Sequence, residues 1–317
     1  MSSEFLDLKV ASIVAEAKDI IVIELVDPQG QSLPPFEPGA HLELHLPNGL
    51  VRHYSLCGDS QDRKHYHVGI GLARESRGGS RFLHGSIAVG SVLRSRPPRN
   101  NFPLSDSASH YVFIAGGIGI TPILSMIRWC ESNNKKWELY YLVRNRQRAA
   151  FYETLQSLPG KNVHNHFDDE AGRHFDIQSC ISSLESNSHL YCCGPAPLMS
   201  GVEASAAQRP DISAHFEWFN AQEIDSSEDK GFRLIARSSG LELDVPADRS
   251  ILDVLEANGV NVPFACREGI CGACETDVVC GDPEHRDLVL TNEEKLSGKR
   301  MMICVSRSRT PTLELNV

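Results

Sequence analysis

Three cysteines crowded into residues 264–274 constrain this chain more than any other feature. The stretch reads FACREGICGAC and sets Cys266, Cys271 and Cys274 at C-x4-C-x2-C spacing, with Cys304 downstream as a fourth. That spacing matches the ligand set of a plant-type [2Fe–2S] cluster. Two irons bridged by sulfide need four thiolates, and three of them must come from one loop wrapped over the metal. Gly269 and Gly272 suit that wrap, because a residue without Cβ adopts positive φ freely and lets backbone N–H groups approach sulfur. Those dipoles help to set the reduction potential. A structural zinc site ordinarily pairs one C-x2-C with a second, and the chain has no second pair. Nothing marks secretion, so disulfides are disfavoured.

A length of 317 residues predicts two or three domains, and 41 % hydrophobic with 23 % charged residues describes an ordinary globular protein. The net charge of −10 argues against nucleic acid as a partner. With four cysteines given to iron, Cys57, Cys130, Cys180, Cys192, Cys193 and Cys280 remain as thiols, which suits a reducing, cytoplasmic setting. The opening MSSEFLDLKV has no apolar core and is not a signal peptide. The longest apolar stretch, 113–127, is broken by glycines and a proline and is too short to cross a membrane.

Residues 1–104 read as all-β. Short runs at 20–26, 41–46, 65–71 and 91–96 are separated by turn formers such as Asp27-Pro28, Pro47-Asn48-Gly49 and Gly78-Gly79, which predicts a barrel or sandwich. Within it, RHYSL (52–56) offers the Arg52 guanidinium for phosphate, the Tyr54 ring for stacking and the Ser55 hydroxyl for a hydrogen bond. ESRGGSRF (75–82) places Gly78 and Gly79 before Ser80 at an expected helix start, where N–H groups can face a phosphate. Each motif taken alone also reads as an ordinary strand or turn.

Residues 105–225 alternate between strand and helix. An apolar strand, 110–115, runs into GGIGITP (116–122) and then a helix from 123 to about 130. Strand, glycine turn and helix form a phosphate cradle, although the spacing departs from G-x-G-x-x-G. A second strand, 137–143, leads to Arg144. A third, 189–192, leads to Cys193-Gly194-Pro195 and a helix from about 197. Strands ending on one edge of an open parallel sheet create a ligand crevice there. Arg144 and Arg146 suit a diphosphate or a 2′-phosphate, or plain solvation. His164, His166 and Asp168 are read as a polar loop after a strand rather than as metal ligands.

Residues 226–317 form the iron–sulfur module. The polar run 225–230 (DSSEDK) reads as a linker. A hairpin follows at 232–236 and 241–245. Ser250 caps a helix with Ile251, Leu252, Val254 and Leu255 on its core face, Asp253 in its first turn, and Asn258-Gly259 as its stop. A last strand, 312–316, closes the sheet. The module carries 16 acidic and 11 basic residues, half of the total net charge, so an acidic docking face stands beside plain solvation as a reading.

The order RxYS, GGS, GGIGITP, CGP and the cysteine loop resembles phthalate dioxygenase reductase and vanillate O-demethylase reductase, the reductase components of Rieske oxygenase systems, over essentially the whole chain. The resemblance implies three parts: an antiparallel flavin-binding β-barrel at 1–104, an open parallel-sheet NADH-binding α/β domain at 105–225, and a β-grasp plant-type ferredoxin of the α+β class at 226–317. It implies FMN contacts from Arg52, His53, Tyr54 and Ser55, from Gly69, Ile70 and Gly71, from Gly78, Gly79 and Ser80, and from Thr121. NADH contacts are implied at Gly116, Gly117, Gly119, Thr121, Pro122, Arg144, Cys193, Gly194 and Pro195. Ser55, Cys193 and Phe219, the last in the segment HFEWF, are implied to stand at the reacting rings, with Ser55 near the flavin N5. Gly69-Ile70-Gly71 lacks the basic side chain found there in some relatives.

Electron counting agrees with that implication. A nicotinamide gives two electrons together and a [2Fe–2S] cluster accepts one, so a flavin is needed between them. The chain has no Rieske ligand set of its own, so the expected acceptor is a separate Rieske-type terminal oxygenase, acting for instance in aromatic hydroxylation or demethylation. A stand-alone NADH:quinone or small-acceptor reductase is the alternative, and a redox sensor a second one.

Overall fold

The computed structural model describes residues 5–73, 78–159, 162–220 and 226–317; residues 75–77 of the glycine-rich segment, Asp225 of the expected linker and the first four residues lie outside the described residues. The chain divides into two compact units, Met1–Phe219 and Asn220–Val317.

The first unit opens with six antiparallel strands: β1 (Leu6–Ala17), β2 (Ile20–Val26), β3 (His41–His45), β4 (Val51–Ser55), β5 (Tyr66–Gly71) and β6 (Val92–Ser95). They pair in the order β4-β3-β6-β1-β2-β5. The two edge strands meet where Leu56 bridges Val68 and Cys57 N donates to His67 O at 2.9 Å, which closes the sheet into a barrel and removes its open edges. Leu8, Val10, Ile23, Leu25, Leu42, Leu44 and Val68 fill the interior. A short helix, α1 (Gly79–Gly85), follows β5.

The same unit continues as five parallel strands: β7 (His110–Gly116), β8 (Lys136–Val143), β9 (Val163–Phe167), β10 (His189–Cys193) and β11 (Ser213–Glu217), in the order β11-β10-β7-β8-β9. Among the described residues five helices connect them: α2 (Ile120–Ser132), α3 (Tyr152–Gln156), α4 (Asp168–Ala171), α5 (Ile177–Ser182) and α6 (Ala196–Ala206). Every residue of β7 is buried, as the central strand of a covered parallel sheet requires. Two strands, β9 and β11, exceed the three read from the sequence. The polar loop expected around His164 and His166 is in fact β9, with Asp168 opening α4. The segment VHNHF sits at the sheet edge, where one face stays open to water, so its histidines hid the alternation that marks a strand.

The second unit holds a mixed sheet. Its elements are β12 (Phe232–Ala236), β13 (Leu241–Val245), α7 (Ile251–Ala257), β14 (Glu275–Cys280), β15 (Pro283–Glu284), α8 (Asn292–Ser297), β16 (Arg300–Met302), β17 (Arg307–Ser308) and β18 (Thr312–Leu315). The order is β13-β12-β18-β14-β16, with β12 and β18 parallel and β15-β17 as a separate ribbon. One helix over such a sheet makes the β-grasp. A full capping box starts α7: Ser250 Oγ accepts Asp253 N, and Asp253 Oδ2 accepts Ser250 N. Burial of Ile251, Leu252, Val254 and Leu255 holds the helix to the sheet, each contributing about 1.5–3 kcal/mol. The cysteine loop runs from this helix to β14.

Candidate functional site

The strand order reverses between β7 and β10, and the glycine turn after β7 meets the CGP turn after β10 at that reversal. A Cβ on Gly116 would lie 2.6 Å from Pro195 Cδ and 3.2 Å from Gly194 Cα; one on Gly119 would lie 2.1 Å from the Cys193 carbonyl oxygen. The two turns therefore touch backbone to backbone, and any side chain would part them. Gly117 takes a φ of +54° between them. The first turn of α2 follows directly, with Ile120 N bonded back to Gly117 O and Pro122 bringing no N–H of its own. Thr121 and Pro122 are buried there, and Thr121 Oγ1 donates to Ile118 O at 2.9 Å.

The barrel reaches this crevice. Ser55, the last residue of β4, is buried and donates from Oγ to Glu217 Oε2 at 3.1 Å. Glu217 ends β11 and lies beside Cys193, which ends β10. Burial pushes the Glu217 carboxyl up to about 8, against the pull of the Ser55 hydroxyl. By area Glu217 keeps some exposure, yet its carboxyl lies deep among protein atoms, and it is this depth that withdraws solvation. Burial also pushes the Cys193 thiol well above its usual range, helped by the Glu217 carboxylate and by Cys192. Cys193 is therefore a neutral thiol. Phe219, two residues past β11, is partly buried against the cluster of apolar residues around α2 and β7.

Sequence reasoning took Phe219 from HFEWF and passed over Glu217. Its only sequence signal was a lone carboxylate closing the strand SAHFE; the partner Ser55 is 162 positions away and appears only when the two sheets meet.

The other barrel motifs converge in the same way. Arg52 lies over Gly79, whose added Cβ would stand 2.7 Å from Arg52 Cγ and 2.8 Å from Nε. Gly78 caps α1 in a left-handed conformation, φ +93°. Guanidinium and glycine turn are thus adjacent, the chemistry of an anion site. Ser80 Oγ accepts Ala73 N at 3.3 Å, and His84 Nε2 reaches Ile70 O at 2.9 Å. On β5, Gly69 packs against the Thr121 methyl (2.6 Å from a would-be Cβ) and Gly71 against Ile118. His53 points instead to the buried Glu43, 3.5 Å away, which Arg96 and His45 also approach. Tyr54 is part-buried, and burial pushes its hydroxyl up to about 12.

Arg144 is exposed just past β8 at the crevice edge. Arg146, the other cation considered for a phosphate, is clamped: Glu170 accepts from Nε and Nη2 at 3.1 Å, Tyr152 Oη stands 2.6 Å from Nη1, and Phe167 lies beneath the guanidinium at 4.6 Å.

In the second unit the loop brings Cys266, Cys271, Cys274 and Cys304 together, with Cys266 in hydrogen-bond reach of Cys271 and Cys304, and Cys274 of Cys304. Cys266 is held far below the usual thiol range, first by S–H donation from Cys271 and Cys304, then by the N–H groups of Ile270 and Cys271. Glu268 N adds a bond to its sulfur at 3.3 Å. Cys271 is pushed up by its hydrogen bond to Cys266, then by burial and by the negative charge of Cys266. Four sulfurs ringed by inward N–H groups suit a thiolate-ligated metal centre. Gly269 and Gly272 take φ of +69° and +74°, as the wrapped loop requires. Arg267 also has positive φ, +59°, and its guanidinium binds Asp253 Oδ1 (2.7 Å) and Glu256 Oε2 (2.5 Å) on α7 while covering the exposed Phe264 ring at 4.2 Å.

Comparison with known proteins follows the same division. Residues 113–204 match the oxidoreductase NAD-binding domain, and residues 235–309 match the 2Fe-2S iron-sulfur cluster binding domain. The chain is 41 % identical to phenoxybenzoate dioxygenase subunit beta of Ectopseudomonas oleovorans, covering 98 % of this chain and 97 % of that one. It is 40 % identical to tetrachlorobenzoquinone reductase of Sphingobium chlorophenolicum (98 % and 98 %) and 40 % identical to phthalate dioxygenase reductase of Burkholderia cepacia (99 % and 98 %). The solved structure of a phthalate dioxygenase reductase superposes with a TM-score of 0.73 over 99 % of this chain and 98 % of that one, at 40 % identity. An intact type IV self-sufficient cytochrome P450 monooxygenase matches with a TM-score of 0.92 at 39 % identity, covering 99 % of this chain and 41 % of the longer one.

Proposed function

We infer, for a chain that belongs to the phthalate dioxygenase reductase family, that NADH, FMN and a [2Fe–2S] cluster act in series within it to supply electrons to a separate, Rieske-type oxygenase. The family is one of NAD-dependent iron–sulfur oxidoreductases whose named members include subunits of aromatic oxygenase systems. Residues 1–104 are assigned to the flavin, 105–225 to the nicotinamide and 226–317 to the cluster. The assigned compartment is the cytoplasm; among the described residues no helix is long and apolar enough to cross a membrane. The observation that carries the reading is the meeting of Ser55 of the barrel with Glu217 and Cys193 of the parallel sheet at the strand-order reversal.

A flavin bound there would supply the conversion of the electron pair of NADH into single electrons for the cluster. The protein's part is binding, orientation and the placing of protons. Arg52 with Gly78, Gly79 and Ser80 would hold the flavin phosphate, by charge and by the N–H groups of the α1 turn. His53, Tyr54, Ser55, Gly69, Ile70, Gly71 and Thr121 would wall the flavin site. Gly116, Gly117, Gly119, Pro122, Gly194 and Pro195 would bind the dinucleotide along the bare backbone of the two touching turns, with Arg144 at the diphosphate. Cys193 presents a neutral thiol to the nicotinamide, and Phe219 offers a ring beside the flavin. Ser55 Oγ and Glu217 Oε2 share a proton, and Glu217 keeps its own up to about pH 8. Cys266, Cys271, Cys274 and Cys304 would ligate the cluster.

A second reading, NADH-dependent reduction of a quinone by the chain alone, is favoured by the 40 % identity to tetrachlorobenzoquinone reductase. The test is to purify the protein, identify the released flavin by chromatography, record the EPR spectrum after NADH addition, and assay a Rieske oxygenase and a quinone side by side. Flavin bleaching with a reduced-cluster signal and oxygenase turnover supports the first reading. Turnover confined to the quinone refutes it.

A further inference from the structure

Six buried side-chain polar atoms lack a hydrogen-bond partner among the described residues, and three of them belong to two neighbours: both ring nitrogens of His285 and Oδ1 of Asp287. His285 Nδ1 stands 3.7 Å from Asp287 Oδ1, with side chains 7 % and 0 % exposed. Burying such groups without a hydrogen bond costs about 1–3 kcal/mol each. Polar groups kept at that cost mark a place where something other than stability is served.

This segment touches both halves of the cysteine set. Leu288 N donates to Gly269 O at 2.9 Å, between Cys266 and Cys271. Gly269 sits so close that a Cβ would fall 3.2 Å from Asp287 Cα. On the other side Arg286 N donates to Ser306 Oγ at 3.2 Å, two residues beyond Cys304. Asp287 fixes the turn that carries Leu288: its Oδ2 accepts Val289 N (3.1 Å) and Leu290 N (2.8 Å), and its carbonyl accepts Lys295 Nζ (2.7 Å).

We propose that Asp287 is a positioning residue for the cluster loop, holding the turn that carries Leu288 against Gly269, and that its buried carboxylate, beside His285, sets the reduction potential of the cluster. The proposal rests on the reading of the four cysteines as cluster ligands. A negative charge next to the loop opposes the arrival of an electron, and the pinned turn keeps the N–H groups of the loop aimed at sulfur.

Asp287→Asn and Asp287→Ala separate the two roles in the full-length, cluster-loaded protein. Asn keeps an acceptor oxygen and loses the charge. Its potential, followed by EPR in a dye-mediated titration, rises, while its cluster persists as long as in the parent. Ala loses the acceptor as well and releases its cluster about tenfold faster, as loss of roughly one net hydrogen bond's worth of restraint predicts. Parental potentials and parental loss rates in both variants would overturn the proposal. Where Asp287→Ala yields no folded protein, an unchanged potential in Asp287→Asn overturns it alone. A parent protein with no reduced-cluster signal would overturn the ligand reading beneath it instead.

Discussion

Replacing Glu217 with Gln tests the site through its acid–base chemistry. The carboxyl titrates at about 8 in the folded chain, against 4.5 for an unperturbed glutamate. Between those values the folded state holds a proton that the unfolded state has released. Stability therefore falls as pH rises through this window, by about 1.4 kcal/mol per pH unit. Across pH 5 to 8 the loss approaches 4 kcal/mol, an upper figure because some water reaches the residue. Gln carries no charge and still accepts from Ser55. The thermal midpoints of parent and Glu217→Gln should coincide near pH 5 and separate as pH rises, with the variant higher by up to about 8–16 °C at pH 8.5, since 1 kcal/mol moves the midpoint of a unit this size by about 2–4 °C. The rate of flavin reduction by NADH should also bend near pH 8 in the parent and stay level there in the variant. Midpoints that run parallel from pH 5 to 9 would refute a buried, protonated Glu217.

Three further outcomes are expected. Gly119→Ala drives a methyl to 2.1 Å from the Cys193 carbonyl, which costs about 1–3 kcal/mol and raises the KM for NADH, with the cluster's EPR spectrum unchanged. Arg52→Ala removes the guanidinium over Gly79 and weakens flavin retention about 10- to 100-fold, measured as flavin per chain after dilution and gel filtration. Cys304→Ser leaves NADH-driven reduction of an artificial flavin acceptor intact and abolishes one-electron transfer to cytochrome c; retained cytochrome c reduction would remove Cys304 from the path.

The parts of this molecule that were legible in the sequence are those where local chemistry decides. The cysteine loop announces itself because spacing and glycines are both fixed by wrapping one centre. Ser250 and Asp253 sit three apart, and a capping box needs no more than that. The strand at 20–26 was read with its true bounds because its apolar run is bracketed by turn formers. What stayed hidden depends on strand order. Gly116 and Gly194 touch only because β10 crosses to lie beside β7, and Glu217 meets Ser55 only when the barrel closes beside the sheet. Arg146, read from the sequence as a phosphate contact or a solvated cation, is instead engaged by Glu170, Tyr152 and Phe167, partners that only the fold brings to it.

Asp253 closes the capping box of α7 with one oxygen and grips Arg267 with the other. The start of the helix and the loop beside Cys266 thus share Asp253, which together with Glu256 holds Arg267 in its left-handed backbone. The helix's opening turn becomes a strain gauge for the redox loop: slackening at either end is transmitted to the other, and amide exchange in residues 251–253 reads out whether the sulfur cage is intact.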